Sequence, residues 1–175
     1  VLADVAPHPN RFRFAQYGST APQRGRYQST RAVSTLIHAT TLQLGAWGVL
    51  IMGPSGSGKS DLALRLIGDG ALLVSDDQTR LAVVDGRLVA TAPQTIAGRM
   101  EARGLGIVRA ATIASAIVRL AVELESRSPE RMPEPRLWSP PNVAAAPQVP
   151  LIALSAFEPS APIKLKMALL AVLRP

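Results

Sequence analysis

Cysteine is absent from this 175-residue sequence. Without a thiol there is no disulfide frame, no thiolate metal site and no cysteine nucleophile, which suits a reducing compartment. Aromatic residues are scarce too, seven in all, so the core must be built from Ala, Val, Leu and Ile, as in an α/β protein. Charged residues make up 18% against 47% hydrophobic, yet long apolar runs are missing. In the apolar stretch after Arg109 the run free of charge is only Ala110 to Val118, far short of the roughly 18 residues a bilayer span needs. No membrane span is expected. The opening segment has no apolar h-region and does not read as a secretory signal. A cytoplasmic location is the expectation.

What is plentiful is positive charge, a formal net +7. Its placement matters more than its size. The first 33 residues hold Arg11, Arg13, Arg24, Arg26 and Arg31 against the single acid Asp4, so more than half of the net charge sits in a segment too poor in apolar residues to bury a core. We read residues 1–33 as a flexible basic arm and residues 34–175 as one domain of ordinary size. No basic run in that domain is interleaved with aromatics, which argues against nucleic acid as a partner.

From Ser34 the pattern becomes regular. "TLIHATTLQLGAWGVLIM" predicts two strands joined by a turn, and Ser60 opens a helix whose Leu62, Leu66 and Ile67 recur at helical spacing until Gly68 and Gly70 stop it. "ALLVSDD" reads as a short buried strand ending in two acids. Asp85-Gly86 between two β-rich runs predicts a two-residue hairpin, so the sheet is mixed rather than parallel. "PQTIAGRMEARGLGIV" predicts a short helix turning through Gly104 and Gly106 into a strand. "SAIVRLAVEL" and "VPLIALSAF" predict further strands, separated by a Pro-rich loop from Ser126 to Pro150. A terminal helix is expected over Ala161 to Leu173, capped by Ser160, with Pro162 in its first turn.

The chemistry concentrates in "GPSGSGKS", Gly53 to Ser60, which fits G-x-x-x-x-G-K-[ST]. A chance match in a chain of this length is on the order of one in a hundred, and here a strand precedes and a helix follows. Such glycines let consecutive N–H groups turn towards one anion at a helix start, while Lys59 reaches the terminal phosphates. Ser60 offers a hydroxyl to Mg²⁺. The nucleotide-binding candidates are therefore Gly53, Pro54, Ser55, Gly56, Ser57, Gly58, Lys59 and Ser60.

Asp76 and Asp77, at a strand end, could hold a metal or accept a proton, and the pattern does not separate the roles. Neighbours on a strand point to opposite faces, so the two should not share a task. Glu101 and Arg103 in "MEARGLG" are two apart and project to one side of an extended segment. They fit a carboxylate for Mg²⁺ and a guanidinium for a phosphoryl oxygen, or equally a solvated ion-pair face. His38 in "LIHAT" stands alone among apolar strand residues, where a histidine is ordinarily a satisfied part of the core.

Taken together and in this order, His38, "GPSGSGKS", "LLVSDD" and "EARGLGI" resemble the catalytic domain of bacterial HPr kinase/phosphorylase. The similarity is clear from about Ser34 to Arg109 and thinner beyond. It implies an α/β P-loop domain with a mixed, PEP carboxykinase-like sheet, and ATP-dependent phosphorylation of a serine on an HPr-type phosphocarrier of the phosphotransferase system. It also implies a reverse phosphorolysis that yields pyrophosphate, and a homohexamer. By position, Lys59 resembles the phosphate-binding lysine, Ser60 and Glu101 the Mg²⁺ ligands, and Asp77 the proton acceptor with His38 beside it. Arg103 lies in the signature, and the family's later active-site arginine is weakly matched by Arg131 in "SPERMPEP". ATP, or pyrophosphate in its place, and Mg²⁺ are the implied cofactors.

Two departures stand out. Long members carry a further N-terminal domain that a 33-residue arm cannot supply, so a short-form member is expected. Their Arg-bearing "PVRPGR"-type loop, associated with dephosphorylation, is here "APQVPLIALS". A generic P-loop kinase for a small metabolite is the alternative enzyme, against which the Asp85-Gly86 hairpin argues. A nucleotide-binding regulatory module that no longer transfers phosphate is the non-enzyme alternative.

Overall fold

The longest strand, β1 (Ser34–Leu44), is rich in Thr and Leu, and its β-branched Thr side chains pack well on a pleated surface. It returns through a tight turn at Gly45 into the antiparallel β2 (Trp47–Met52), with Leu44 opposite Trp47. The structure is a computed structural model that describes residues 34–95, 98–125, 129–143 and 145–174. The basic arm expected over residues 1–33 lies outside the described residues. After β2 the chain loops into α1 (Lys59–Gly68), whose Leu62, Ala63 and Leu66 are buried. β3 (Leu72–Ser75) and β4 (Gln78–Val84) then run along the free edge of β1, pairing with residues 41–43 and 34–38. Asp76 and Asp77 break the line between them.

The predicted hairpin joins β4 to β5 (Arg87–Thr91). Asp85 and Gly86 have φ of 50° and 69°, the double positive pair that makes a two-residue turn follow the strand twist. β6 (Arg99–Ala102) and β7 (Gly106–Arg109) form a separate two-stranded sheet. β8 (Ser115–Leu124), β9 (Arg136–Trp138), β10 (Val149–Leu154) and α2 (Ala161–Val172) complete the chain.

β1 and β8 each serve two sheets. Residues 115–117 of β8 pair with β5, and its later residues pair in parallel with β2 and β10. The pairings β1, β4, β5, β8, β2 and back to β1 therefore close on themselves. One core lies on the Leu50 side of β2, with Val74, Leu81, Leu88, Ala90 and Val118. A second lies on the Val49 and Ile51 side, where Leu62, Leu66 and Leu165 bring both helices against the sheet. A fully buried side chain of this size contributes ~1.5–3 kcal/mol. Being buried on both faces, β2 reads as an unbroken apolar run. β2, β8 and β10 are mutually parallel, so their carboxyl ends point the same way.

Three expectations need correction. The segment containing "RMEARGLGIV" makes the β6–β7 hairpin instead of a short helix and one strand: Met100 and Ala102 are buried while Arg99 and Glu101 are exposed, a period of two. The Pro-rich stretch contains β9, which adds an edge to β10 with Val149 opposite Trp138. Ser160 precedes α2 as expected, but its side chain makes no capping bond; its carbonyl accepts from the Lys164 N–H instead.

Candidate active site

The loop from Gly53 links the end of β2 to the start of α1, which begins at Lys59. Gly58 has φ of 93°, a left-handed conformation that side chains disfavour, and a Cβ there would lie 2.6 Å from that of Ala156. Glycine is therefore required twice over. No side chain caps the helix, and first-turn N–H groups have no intrahelical acceptor, which is the arrangement that receives anions. Ser57 Oγ is buried inside the loop and has no partner among the described residues.

Lys59 is 7% exposed, and its ammonium donates to the carbonyls of Gly53 at 2.9 Å and Pro54 at 3.0 Å. Burial pushes its pKa below the ordinary lysine value, opposed by the negative charges of Asp77 and Asp76. The lysine thus lies within reach of both carboxylates electrostatically while touching neither.

The two acids occupy opposite environments. β3 ends at Ser75, and Asp77 adopts φ of 63°, so a left-handed turn separates the pair where strand alternation was expected to do so. Asp76 is buried. Its Oδ1 accepts from Thr40 Oγ1 at 2.8 Å and Ser60 Oγ at 3.2 Å, and its Oδ2 from the Glu101 backbone N–H at 3.1 Å. Asp77 points outward and meets His38 Nε2 at 2.7 Å. His38 is half exposed at the β1 edge, not a core histidine.

The turn is held from below by hydroxyls. Thr79 Oγ1 donates to the Ala39 carbonyl at 2.9 Å and lies 2.8 Å from Thr41 Oγ1; the Ala39 N–H donates to the Asp77 carbonyl and Ser75 Oγ to the Gln78 carbonyl. Thr40, Thr41, Ser75 and Thr79 are all buried. They escaped sequence reading, although two adjacent threonines inside the apolar run "HATTLQL" were the available signal.

His38, Lys59, Ser60 and Asp77 are thus gathered around Asp76 and the loop, and Glu101 joins them through its backbone N–H. No hydrogen bond or ion pair among the described residues ties Arg103 or Arg131 to them. Arg103 lies exposed in the turn between β6 and β7, and Arg131 lies exposed between β8 and β9. Neither makes a hydrogen bond or ion pair among the described residues. Ser60 and Glu101 present hard oxygen donors that could hold Mg²⁺. Among the described residues no cluster of three or more His, Cys, Asp or Glu makes a closed cage; Mg²⁺ is commonly held by one or two carboxylates together with water and substrate phosphates.

A mixed-sheet α/β domain with a glycine-rich loop beside paired carboxylates defines the class. Residues 29–134 match the family described as HPr Serine kinase C-terminal domain, and the chain belongs to that family. It is similar to HPr kinase/phosphorylase of Clostridium beijerinckii, 40% identical over 82 residues, which are 47% of this chain and 27% of that protein. HPr kinase/phosphorylase of Clostridium novyi is 29% identical over 151 residues, 75% of this chain and 49% of its own. The chain spans about half, or less, of the length of these curated relatives. Among solved structures, the Hpr(Ser) kinase/phosphatase from Coxiella burnetii superposes with a TM-score of 0.66 at 27% identity, covering 78% of this chain and 95% of that one. No described helix is long and apolar enough to cross a membrane.

Proposed function

We propose that this chain transfers the γ-phosphate of ATP to a seryl hydroxyl of an HPr-type phosphocarrier protein, with residues 34–175 as the catalytic domain. The observation that carries the reading is Asp76, whose carboxylate ties Ser60 of the loop and Glu101 of β6 together beside the exposed Asp77–His38 pair. In this reading the loop N–H groups and Lys59 hold the phosphates. Ser60 and Glu101 hold Mg²⁺, which when bound draws negative charge from the phosphoryl oxygens.

Asp77 accepts the proton of the seryl hydroxyl as its oxygen bonds to the γ-phosphorus and the bond to the β-phosphate oxygen breaks. His38 orients the carboxylate. The exposure of Asp77, 69% of its side chain, lets a serine on another protein reach it. In the phosphorolysis direction an oxygen of inorganic phosphate bonds to the phosphorus of phosphoserine, the bond from that phosphorus to the seryl oxygen breaks, Asp77 gives the seryl oxygen its proton, and pyrophosphate is the product. Arg103 and Arg131 are proposed as the exposed cations that meet the acceptor and its phosphate. A cytoplasmic homo-oligomer, hexameric by resemblance, completes the proposal.

The test is mass spectrometry of an HPr protein after incubation with the chain, ATP and Mg²⁺. One phosphoryl group on a serine is expected. An unmodified carrier together with ATP turnover on a small metabolite would replace this reading with the metabolite kinase.

A further inference from the structure

Three aromatic side chains fall among the described residues. Trp47 and Trp138 are partly buried, and Phe157 alone is exposed, at 68%. A single exposed apolar residue needs no explanation by itself. Phe157, however, is held out on a fixed support. Arg65 of α1 donates to the carbonyls of Ala156 and Glu158 on either side of it, and Ala156 is fully buried. The Glu158 carboxylate pairs with Lys164, and its carbonyl receives the Ala161 N–H at 3.0 Å. The backbone is pinned at both ends while the ring stands in water.

The ring is also placed against the glycine-rich loop. A Cβ on Gly58 would lie 3.1 Å from Phe157 Cζ and 3.3 Å from Cε1. Phe157 follows β10, the third of the parallel strands β2, β8 and β10. Ligands of such strands lie beyond their carboxyl ends. Because the Phe157 ring lies against Gly58 of the loop after β2, a ligand whose phosphates rest on that loop has the ring within reach of its next group. A phosphate gains nothing from a phenyl ring, whereas every nucleobase presents a π-face to it.

We propose that Phe157 is the stacking platform for the base of a nucleoside triphosphate whose phosphates occupy the Gly53–Ser60 loop. This rests on the phosphate-site reading above. Stacking does not read hydrogen-bond patterns, so the site takes GTP about as well as ATP.

Calorimetric titration of the full chain with Mg²⁺ and either ATP or inorganic tripolyphosphate, a ligand without a base, tests it. Phe157→Ala is expected to weaken ATP binding ~5- to 160-fold, the range one stacked base commands, while tripolyphosphate changes by less than about twofold. Phe157→Trp restores ATP binding. Tripolyphosphate binding by the Ala variant also shows that it is folded. Unchanged ATP affinity, or equal losses for both ligands, overturns the platform and leaves the phosphate site standing. If the unmodified chain binds neither ligand, the phosphate-site reading falls and the platform falls with it.

Discussion

Asp76 and Asp77 are neighbours in the chain and opposites in environment. Asp76 is 6% exposed and accepts three hydrogen bonds; the Asp77 side chain is 69% exposed and meets only His38. The left-handed backbone at Asp77 is what turns one carboxylate inward and the other out. Stability and chemistry should therefore separate cleanly between two adjacent positions.

Asp77→Asn keeps the shape and removes the proton acceptor. Phosphotransfer to a seryl protein is expected to fall about 10²- to 10⁴-fold, with ATP affinity and the urea midpoint close to the unmodified values. Near-normal transfer by this variant, with Asp76→Asn inactive, would reverse the assignment.

Asp76→Ala leaves the buried Thr40 hydroxyl and the part-buried Glu101 N–H without their acceptor. Each stranded donor costs about 1–3 kcal/mol. Urea unfolding should show a clear loss of stability, in contrast to Asp77→Ala, whose side chain is solvated. Equal stability of the two variants would show that the Asp76 network contributes little.

Lys59 gives stability a pH dependence whose sign is fixed. Its folded pKa lies below the unfolded value of 10.5 because of burial, so the unfolded chain binds the proton more tightly. Below the folded pKa the desolvation cost is carried in full. As pH rises from there to 10.5 the folded form releases its proton first, and unfolding free energy gains with pH. Lys59→Met should lack this rise. Urea unfolding of both proteins on the alkaline side, up to 10.5, checks it, and parallel curves would count against a depressed Lys59 pKa.

Gly58→Ala and Gly56→Ala both place a side chain at positive φ, 93° and 79°, but only Gly58 faces a close neighbour, Ala156 Cβ at 2.6 Å. The left-handed conformation costs about 1–2 kcal/mol in either, and overpacking adds about 1–3 kcal/mol at Gly58 alone. Thermal unfolding should rank Gly58→Ala as the less stable. The opposite order would mean that the loop does not pack on residue 156.

Most of this fold was legible in the sequence because its signals are local. The β1–β2 pair, the loop, α1 and the Asp85-Gly86 hairpin each follow from neighbouring residues. The β6–β7 hairpin was missed because Gly104 and Gly106 were read as the end of a helix, while Met100, whose burial helps make the strand, belongs to a core shared with distant residues such as Leu66 and Leu120. The site divides in the same way. Lys59 and Ser60 are written into a contiguous motif, and family resemblance joined His38 and Asp77. The hydroxyls of Thr40 and Thr79 could not be found by spacing, since their partners, Asp76 and the Ala39 carbonyl, are distant in the chain and come close only in the folded sheet. Arg103 and Arg131 sit on exposed turns, where the fold fixes no side chain.

The closed ring of strands bears on how the molecule comes to exist. β2 receives its first neighbour, β1, from the residues just before it, but its second, β8, only after the β4–β5 and β6–β7 hairpins have been made. Closing that long loop costs entropy before any pairing rewards it. During synthesis the wall beside the glycine-rich loop therefore stays open until β8 emerges, and β10 with its aromatic outpost comes later still. Pulse-labelled hydrogen exchange should find the β1–β2 amides protected before those joining β2 to β8. A ligand that needs both walls binds only the finished ring, and so acts on this chain as a brace for its own last folding step.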